Sequence, residues 1–580
     1  MALPQARRLA RLRLALPSRH WWPAIPALLF LAIFFAAPVF EILRGGFSTA
    51  DSGFTLAQFA RLAHSPVYGK VLWATFAISL LTALLSVVLG YPIAYLLSSL
   101  DARRRDRWLL WIMLPFWTSY LVKTYAWMLL LSKSGMLTAV AAALGLVSEA
   151  SSIAPSLAGV LIGMVHAMLP LAVITMLPIM RGISIQLSQA ALTLGAGRAT
   201  GFFTVFLPLS MPGVAAAGLL VFITSLGFFI VPALLGSPHE SMIAQLVIAS
   251  VLELFDLRFA GALSTVLLLC SIVVFHVYDR LVGLTSLAGE AARRGAGGRQ
   301  WTIHLMLALG RAGDRLAGCS PGIGLRAGPL RLYGWVVIAF LVLPIAIVIP
   351  IAFTKTAIVS FPPSLFSLRW FESFVESPIW QAAVLRSFGV GLATALLAVV
   401  LGFGATYALT KLPVRWTKLL FAVFVAPLIV PRIVVAIGLL YLFAHLGLTG
   451  TDAGLVIGHT VLAIPYVVVS LSAGFRQFDW RLDDAARIFG ASAFARLRTV
   501  VLPLLAGSLA SAFLFAFIVS FDDLTIAIFV SGGINTTLPK QMWDDIQLAV
   551  TPTLAAVSTA LVFFVALIIY LSTIFKPKNS

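Results

Sequence analysis

The sequence predicts an all-α polytopic membrane protein in which twelve transmembrane helices form two parallel six-helix repeats. Three observations carry this expectation. Of 580 residues, 61% are hydrophobic and only 11% charged, with a mean hydropathy of +1.03, which is more apolar surface than a soluble core can hide. Windows of about 20 apolar residues, the length of helix that crosses a bilayer of roughly 30 Å, recur almost to the end. Finally, the chain repeats itself: AALTLGAGRATGFFTVFLPL at 190–209 and AARIFGASAFARLRTVVLPL at 485–504 share nine of twenty positions at an offset of 295.

In the first half the apolar windows fall near 24–43, 69–98, 108–131, 157–181, 211–236 and 260–283. In the second they fall near 333–353, 381–410, 416–445, 453–474, 505–531 and 552–575. The basic run before the first window, with Arg7, Arg8, Arg11, Arg13 and Arg19, has the look of a secretory leader, but the apolar stretch is long and more spans follow, so it reads as an uncleaved first span. The net charge of +19 does not point to nucleic acid, because the basic residues are dispersed in short loops rather than gathered on one soluble face. Arg103, Arg104, Arg105 and Arg107 in one loop, and Lys411, Arg415 and Lys418 in its counterpart, alternate with loops poor in Lys and Arg. The positive-inside rule then puts both termini in the cytoplasm.

The stretch from 284 to 331 departs from its surroundings. It is rich in Gly, Ala and Arg, carrying Arg293, Arg294, Arg299, Arg311, Arg315, Arg326 and Arg331, and reads as a basic cytoplasmic linker between a first half, 1–283, and a second, 332–580. Its middle, WTIHLMLALGRAGDRL, suits either an amphipathic helix on the anionic leaflet or a disordered tether. Six spans on each side return the chain to its starting face, so the halves are parallel repeats related by an axis along the membrane normal. The only cysteines, Cys270 and Cys319, lack ligand neighbours and imply neither a disulfide framework nor a metal site.

Each copy of the repeated stretch lies between the fourth and fifth spans of its half, as loops 186–206 and 481–501. Leu187, Ala190, Ala191 and Leu194, like Leu482, Ala485, Ala486 and Phe489, fall at i, i+3, i+4 and i+7, giving a short helix with one apolar, small-residue face. Gly195 and Gly490 fit the left-handed position that ends it. The Leu-Pro-Leu triplet is expected to start the next span. Such a helix could plug a cleft in a partner or rest on the membrane as a connector.

These residues resemble the "EAA" signature of bacterial importer permeases of the ATP-binding cassette (ABC) class: Glu-Ala-Ala, three residues, Gly, then Leu-Pro. The resemblance covers nearly the whole chain. Residues 69–283, with GYPIAYLLSSL, LPFWTSYLVKTYAW and LPLSMPG, look like the first permease subunit of spermidine/putrescine importers, and 333–575, with FIVSFDDLTIAIFVSGG, like the second. It implies the type I ABC importer architecture with two subunits fused, and docking of two cytoplasmic ABC ATPase subunits on the loops, through Gln189, Ala190, Ala191 and Gly195 and through Asp484, Ala485, Ala486 and Gly490. It also implies a periplasmic or extracellular solute-binding protein and residence in the bacterial inner membrane. The chain departs from the pattern at the neutral Gln189, and in LPLLAGS, which lacks the later proline.

No phosphate-wrapping G-x-x-x-x-G-K-[ST] loop occurs, nor any GxSxG, HExxH or paired-cysteine motif. The chain is therefore expected to be no enzyme and to need no cofactor or metal, its energy coming from a separate ATPase. Asp522 and Asp523, inside the eleventh window, are pathway candidates, because ionisable groups in a bilayer are costly; the alternative is a packing ion pair with Arg432 or Lys123. His166 and His459 read as packing residues, and Gly159 with Gly163 as a close helix contact. Implied cargo is a polyamine, for which Asp522 and Asp523 offer counter-charge, and Trp117, Tyr120 and Tyr466, near breaks expected at Pro115 and Pro465, offer cation–π contacts of about 0.5 to 2 kcal/mol each. Related permeases carry ferric iron, thiamine or aminophosphonates. A twelve-span secondary transporter is the competing class, and it gives no reason for duplicated Ala-Ala-x-x-x-Gly loops.

Overall fold

The computed structural model describes residues 19–49, 53–145, 148, 152–282, 300–317, 327–357, 361–363, 365–533, 535–548 and 551–574. The arginines at 7–13, most of the linker including Arg293 and Arg294, and Cys319 lie outside these. Among the described residues nine helices are long and apolar enough to cross a membrane, or eleven if two bent pairs each count as one span. The bent pairs are Val414–Ile429 with Arg432–Leu446, at 92°, and Ala493–Leu504 with Ala506–Phe521, at 75°. The twelfth window is helical as Pro552–Ile574, but its described apolar part, Pro552–Leu567, is shorter than a span.

Breaks occur where local chemistry favours them, and not at every proline. Pro115 lies within Ala102–Trp117 and Pro465 within Asp452–Gln477; a single lost backbone bond is tolerated inside a span. The third window breaks instead at Thr118–Ser119, both extended, where the Ser119 hydroxyl caps Tyr120–Leu131 by accepting from the Leu121 N–H at 3.3 Å. In the second half Pro431 forces Val430 out of the helical region, and Arg432–Leu446 starts afresh.

Neither Leu-Pro-Leu triplet starts its helix. The helices begin at Arg198 and Ala493, then pass through five-residue π turns, Phe202–Phe206 and Leu497–Val501, just ahead of Pro208 and Pro503. A third π turn, Ala32–Ala36, precedes Pro38. Proline cannot donate to the carbonyl four residues back and its ring crowds that carbonyl; a turn wound to i+5 relieves both problems.

Duplication extends to element lengths. Helices Pro66–Ser99 and Pro378–Lys411 are 34 residues each, starting 312 apart, while the loop helices Ile185–Thr193 and Trp480–Ile488 are nine residues each, starting 295 apart. The first half thus carries 17 extra residues between them, 312 less 295, where the short helix Met136–Ala143 lies.

Two compact units form: Met1–Ile42 with Ala382–Lys540, and Leu43–Gln381 with Gln541–Ser580. In the former, the first span packs on spans of the second half. A Cβ at Gly404 would sit 2.3 Å from the Pro23 carbonyl oxygen and one at Gly438 2.7 Å from that of Pro38, while Trp21 meets Trp416 edge-on at 5.2 Å. In the latter, helix Ala327–Ala352 packs on first-half helices: the Tyr333 hydroxyl donates to the Leu89 carbonyl at 2.8 Å, and Gly334 lets Trp108 approach. Gly163 does the same for Val231 and Leu235, which a Cβ there would meet at 2.8 and 2.7 Å. The middle of the linker is a helix, Gln300–Ala317, which packs against Arg198–Gly201 in this same unit.

Candidate functional sites in the loops and the spans

Ser184 and Asp479 cap the two loop helices by accepting from Gln186 and Arg481 N–H at 3.3 and 3.0 Å. Both helices stop on a left-handed glycine, Gly195 with φ 85° and Gly490 with φ 82°. The Ala-Ala pair supplies the closing carbonyls: Leu194 N–H reaches Ala190 and Ala196 N–H reaches Ala191, as Phe489 reaches Ala485 and Ala491 reaches Ala486, all at 3.0–3.1 Å. The motif thus encodes a helix of fixed length followed by a reversal.

Gln189, Ala190, Gly195 and their counterparts Asp484, Ala485 and Gly490 are exposed; Ala191 and Ala486 are half-buried. Beside them stand bare apolar side chains, Leu194 at 87% and Phe489 at 89% exposure. Asp484 makes an exposed i,i+3 pair with Arg487, 3.1 Å, of small energetic worth. Its neighbour Asp483 pairs with Arg496 at 2.9 Å in a largely buried bridge across the reversal, a contact that sequence spacing did not suggest.

Within the spans, Asp522 ends helix Ala506–Phe521, and Asp523 lies in the break before Thr525–Val530. The Asp523 carboxylate accepts from the Ile526 N–H at 2.8 Å, serving a first-turn donor of that short helix. Its Oδ2 also lies 3.6 Å from His459 Nε2, with both side chains buried. The Ser520 hydroxyl engages His459 Nδ1 at 2.7 Å, so the ring turns its other nitrogen to the carboxylate. Histidine 61 residues upstream of Ser520 was expected only to pack, and its pairing with Asp523 depends on helices meeting in space. His166 does pack, bonding the Leu341 carbonyl through Nε2 at 2.9 Å between Trp127 and Phe340.

Trp117 is half-buried against Phe116. Tyr120 meets Phe228 edge-on and already faces a cation, Lys123 Nζ lying 4.2 Å from its ring centre. That buried ammonium donates to the Pro115 carbonyl at 3.0 Å, near the C-terminus of Ala102–Trp117, where a helix favours positive charge. The Tyr466 hydroxyl accepts from Arg432 at 3.4 Å.

Residues 398–578 match the family described as "Binding-protein-dependent transport system inner membrane component". The "Spermidine/putrescine transport system permease protein PotB" of Haemophilus influenzae is 30% identical over 261 residues, 44% of this chain and 89% of the relative. PotB of Escherichia coli K12 is 31% identical over 256 residues, 43% and 93%, and PotC of H. influenzae 29% over 246 residues, 42% and 95%. A bacterial ABC transporter that imports alginate is matched over 45% of this chain and 100% of its own at 15% identity, with a TM-score of 0.34. Relatives that are nearly complete yet fill less than half of this chain, together with a duplicated loop helix and multiple apolar spans, establish that the chain belongs to the binding-protein-dependent inner membrane permeases of ABC importers.

Proposed function

We propose that this permease supplies the whole transmembrane part of its importer, halves 1–283 and 332–580 each serving as one subunit and 284–331 joining them in the cytoplasm with both termini. Loops 186–206 and 481–501 each dock one cytoplasmic ATPase subunit, which provides the energy, and an external solute-binding protein delivers the cargo. The observation that carries this reading is the pair of short helices, alike in length and in left-handed terminal glycine, that hold Leu194 and Phe489 out to solvent. Ala191→Trp combined with Ala486→Trp should abolish co-purification of an ATPase subunit while the chain still folds; a full ATPase complement with the double variant would sink the proposal.

The cargo we infer is a small organic cation of the polyamine kind. Spermidine/putrescine permeases among the relatives support it, as does the acidic pair Asp522 and Asp523 at a break inside a span, with Trp117, Tyr120 and Tyr466 as further pathway residues. One feature speaks against a cation at Tyr120 and for a cargo with an anionic group, such as an aminophosphonate: Lys123 already occupies the face of that ring; ferric iron and thiamine remain alternatives by resemblance alone. Calorimetry on the partner solute-binding protein identifies the cargo, an anionic ligand overturning the polyamine reading, and uptake of labelled spermidine by cells with the Asp522→Asn, Asp523→Asn variant tests the acidic pair, which a wild-type rate would remove from the pathway.

A further inference from the structure

Linker helix Gln300–Ala317 turns Gly310, Gly313 and Asp314, spaced i, i+3, i+4 and so on one face, toward the helix that leaves the first loop. There the Asp314 carboxylate accepts three hydrogen bonds: Ala199 N–H to Oδ1 at 2.8 Å, Thr200 N–H to Oδ2 at 3.2 Å and the Thr200 hydroxyl to Oδ2 at 2.6 Å. The approach needs bare backbone. A Cβ at Gly313 would lie 2.7 Å from that of Ala199, one at Gly310 2.6 Å from Thr200 Cα, and one at Gly197 2.2–2.4 Å from the Asp314 carboxylate atoms. First-turn N–H groups have no partner in their own helix and are ordinarily served by the N-cap side chain, but the N-cap residue here is Gly197, which has none.

The second loop meets the same need within itself. At the offset of 295, Gly197 becomes Ser492, whose hydroxyl accepts from the Ala495 N–H at 3.2 Å. Ser188 and Gly201 become Asp483 and Arg496, whose bridge closes the reversal, with Arg496 also donating to the Ala491 carbonyl at 3.2 Å. The first loop's own sequence lacks both the cap and the bridge.

We propose that the linker helix is the brace of the first loop, Asp314 being a positioning residue that supplies from outside the loop what Ser492 and the Asp483–Arg496 pair supply inside the second. The linker is then a working part of one half and more than a tether between the two. Its bearing on transport rests on the reading of the loops as ATPase-docking elements.

The test is a reciprocal rescue on the purified full chain, read by amide hydrogen exchange at 198–206 with 493–501 as internal reference. Asp314→Ala should raise exchange at 198–206 by roughly 2- to 30-fold, the factor expected for a lost N-cap, and leave 493–501 unchanged. Gly197→Ser alone should also raise it, because its Cβ collides with the carboxylate. Asp314→Ala with Gly197→Ser should bring exchange back toward the wild-type rate, since the serine installs the second loop's cap in the space vacated. Unchanged exchange in Asp314→Ala, or a double variant no better than the worse single one, overturns the brace. ATP-driven transport by the same variants reports separately on docking: loss and recovery in step with exchange ties the brace to coupling, whereas transport indifferent to a verified change in exchange counts against the docking role and leaves the brace standing.

Discussion

Gly195 and Gly490 are constrained by backbone geometry alone. A Cβ at either meets nothing within 4 Å, so the cost of alanine there is the left-handed conformation itself, about 1–2 kcal/mol. Gly490→Ala should accordingly weaken ATPase binding by roughly 5- to 30-fold, and Gly490→Asn by less, since asparagine enters that region more readily; titration of the purified chain with the ATPase measures both. Asp523 is constrained by its partners instead. Asp523→Ala leaves the buried Ile526 N–H without its acceptor and should destabilise the chain by about 1–3 kcal/mol, read as a lowered unfolding temperature, while Asp523→Asn retains an acceptor oxygen and should lower it less. Periodicity and the Ala-Ala-x-x-x-Gly spacing make the glycines legible in sequence. The approach of His459 to Asp523 was not legible, because the two lie far apart in sequence and only tertiary packing joins them.

At the scale of elements, the spans follow from apolar runs, but their ends do not. Helices starting at Arg198 and Ala493 incorporate the prolines through π turns, a device invisible to a reading that treats proline as a start signal. The linker helix was one of two readings of its sequence, but its docking was not legible: only the contact of Asp314 with Ala199 and Thr200 gives the GRAGD spacing a meaning. Burial pushes the Asp314 carboxyl up, but the bonds from the Thr200 hydroxyl and the Ala199 and Thr200 N–H groups outweigh it and hold the pKa below the ordinary carboxylate value. The sign follows: a group whose pKa is depressed by folding stabilises above its unfolded value and loses that contribution as pH falls through the lowered one. None of its three donors titrates in this range. Exchange at Ala199 and Thr200, corrected for the intrinsic rate, should therefore be flat at neutral pH and rise only in acid, and Asp314→Asn should abolish that rise.

For the whole molecule, the polytopic helical character was legible from the number of apolar runs, whereas the twelve expected spans compare with nine to eleven among the described residues. The proposed orientation makes a definite prediction: a cysteine at Gly297, in a Cys270→Ser, Cys319→Ser background, should resist an impermeant thiol reagent in intact cells and react once the cells are opened. Membership of the compact units was not legible, since nothing in the first span announces that its neighbours lie in the second half.

That membership has a consequence for biogenesis. Pro23 and Pro38 enter the bilayer long before Gly404 and Gly438, the bare positions that receive them, have been translated. At about 5–20 residues per second, the intervening chain of nearly 400 residues takes roughly 20 to 80 s to synthesise. Through that interval the Pro23–Pro38 face of the first span waits without its second-half partners, turned to lipid or to an insertion factor. Stalled nascent chains ending before residue 380 should cross-link from a photoreactive group at Ala27 to lipid or to the insertion machinery, and chains released after residue 540 should cross-link from the same position to their own second half.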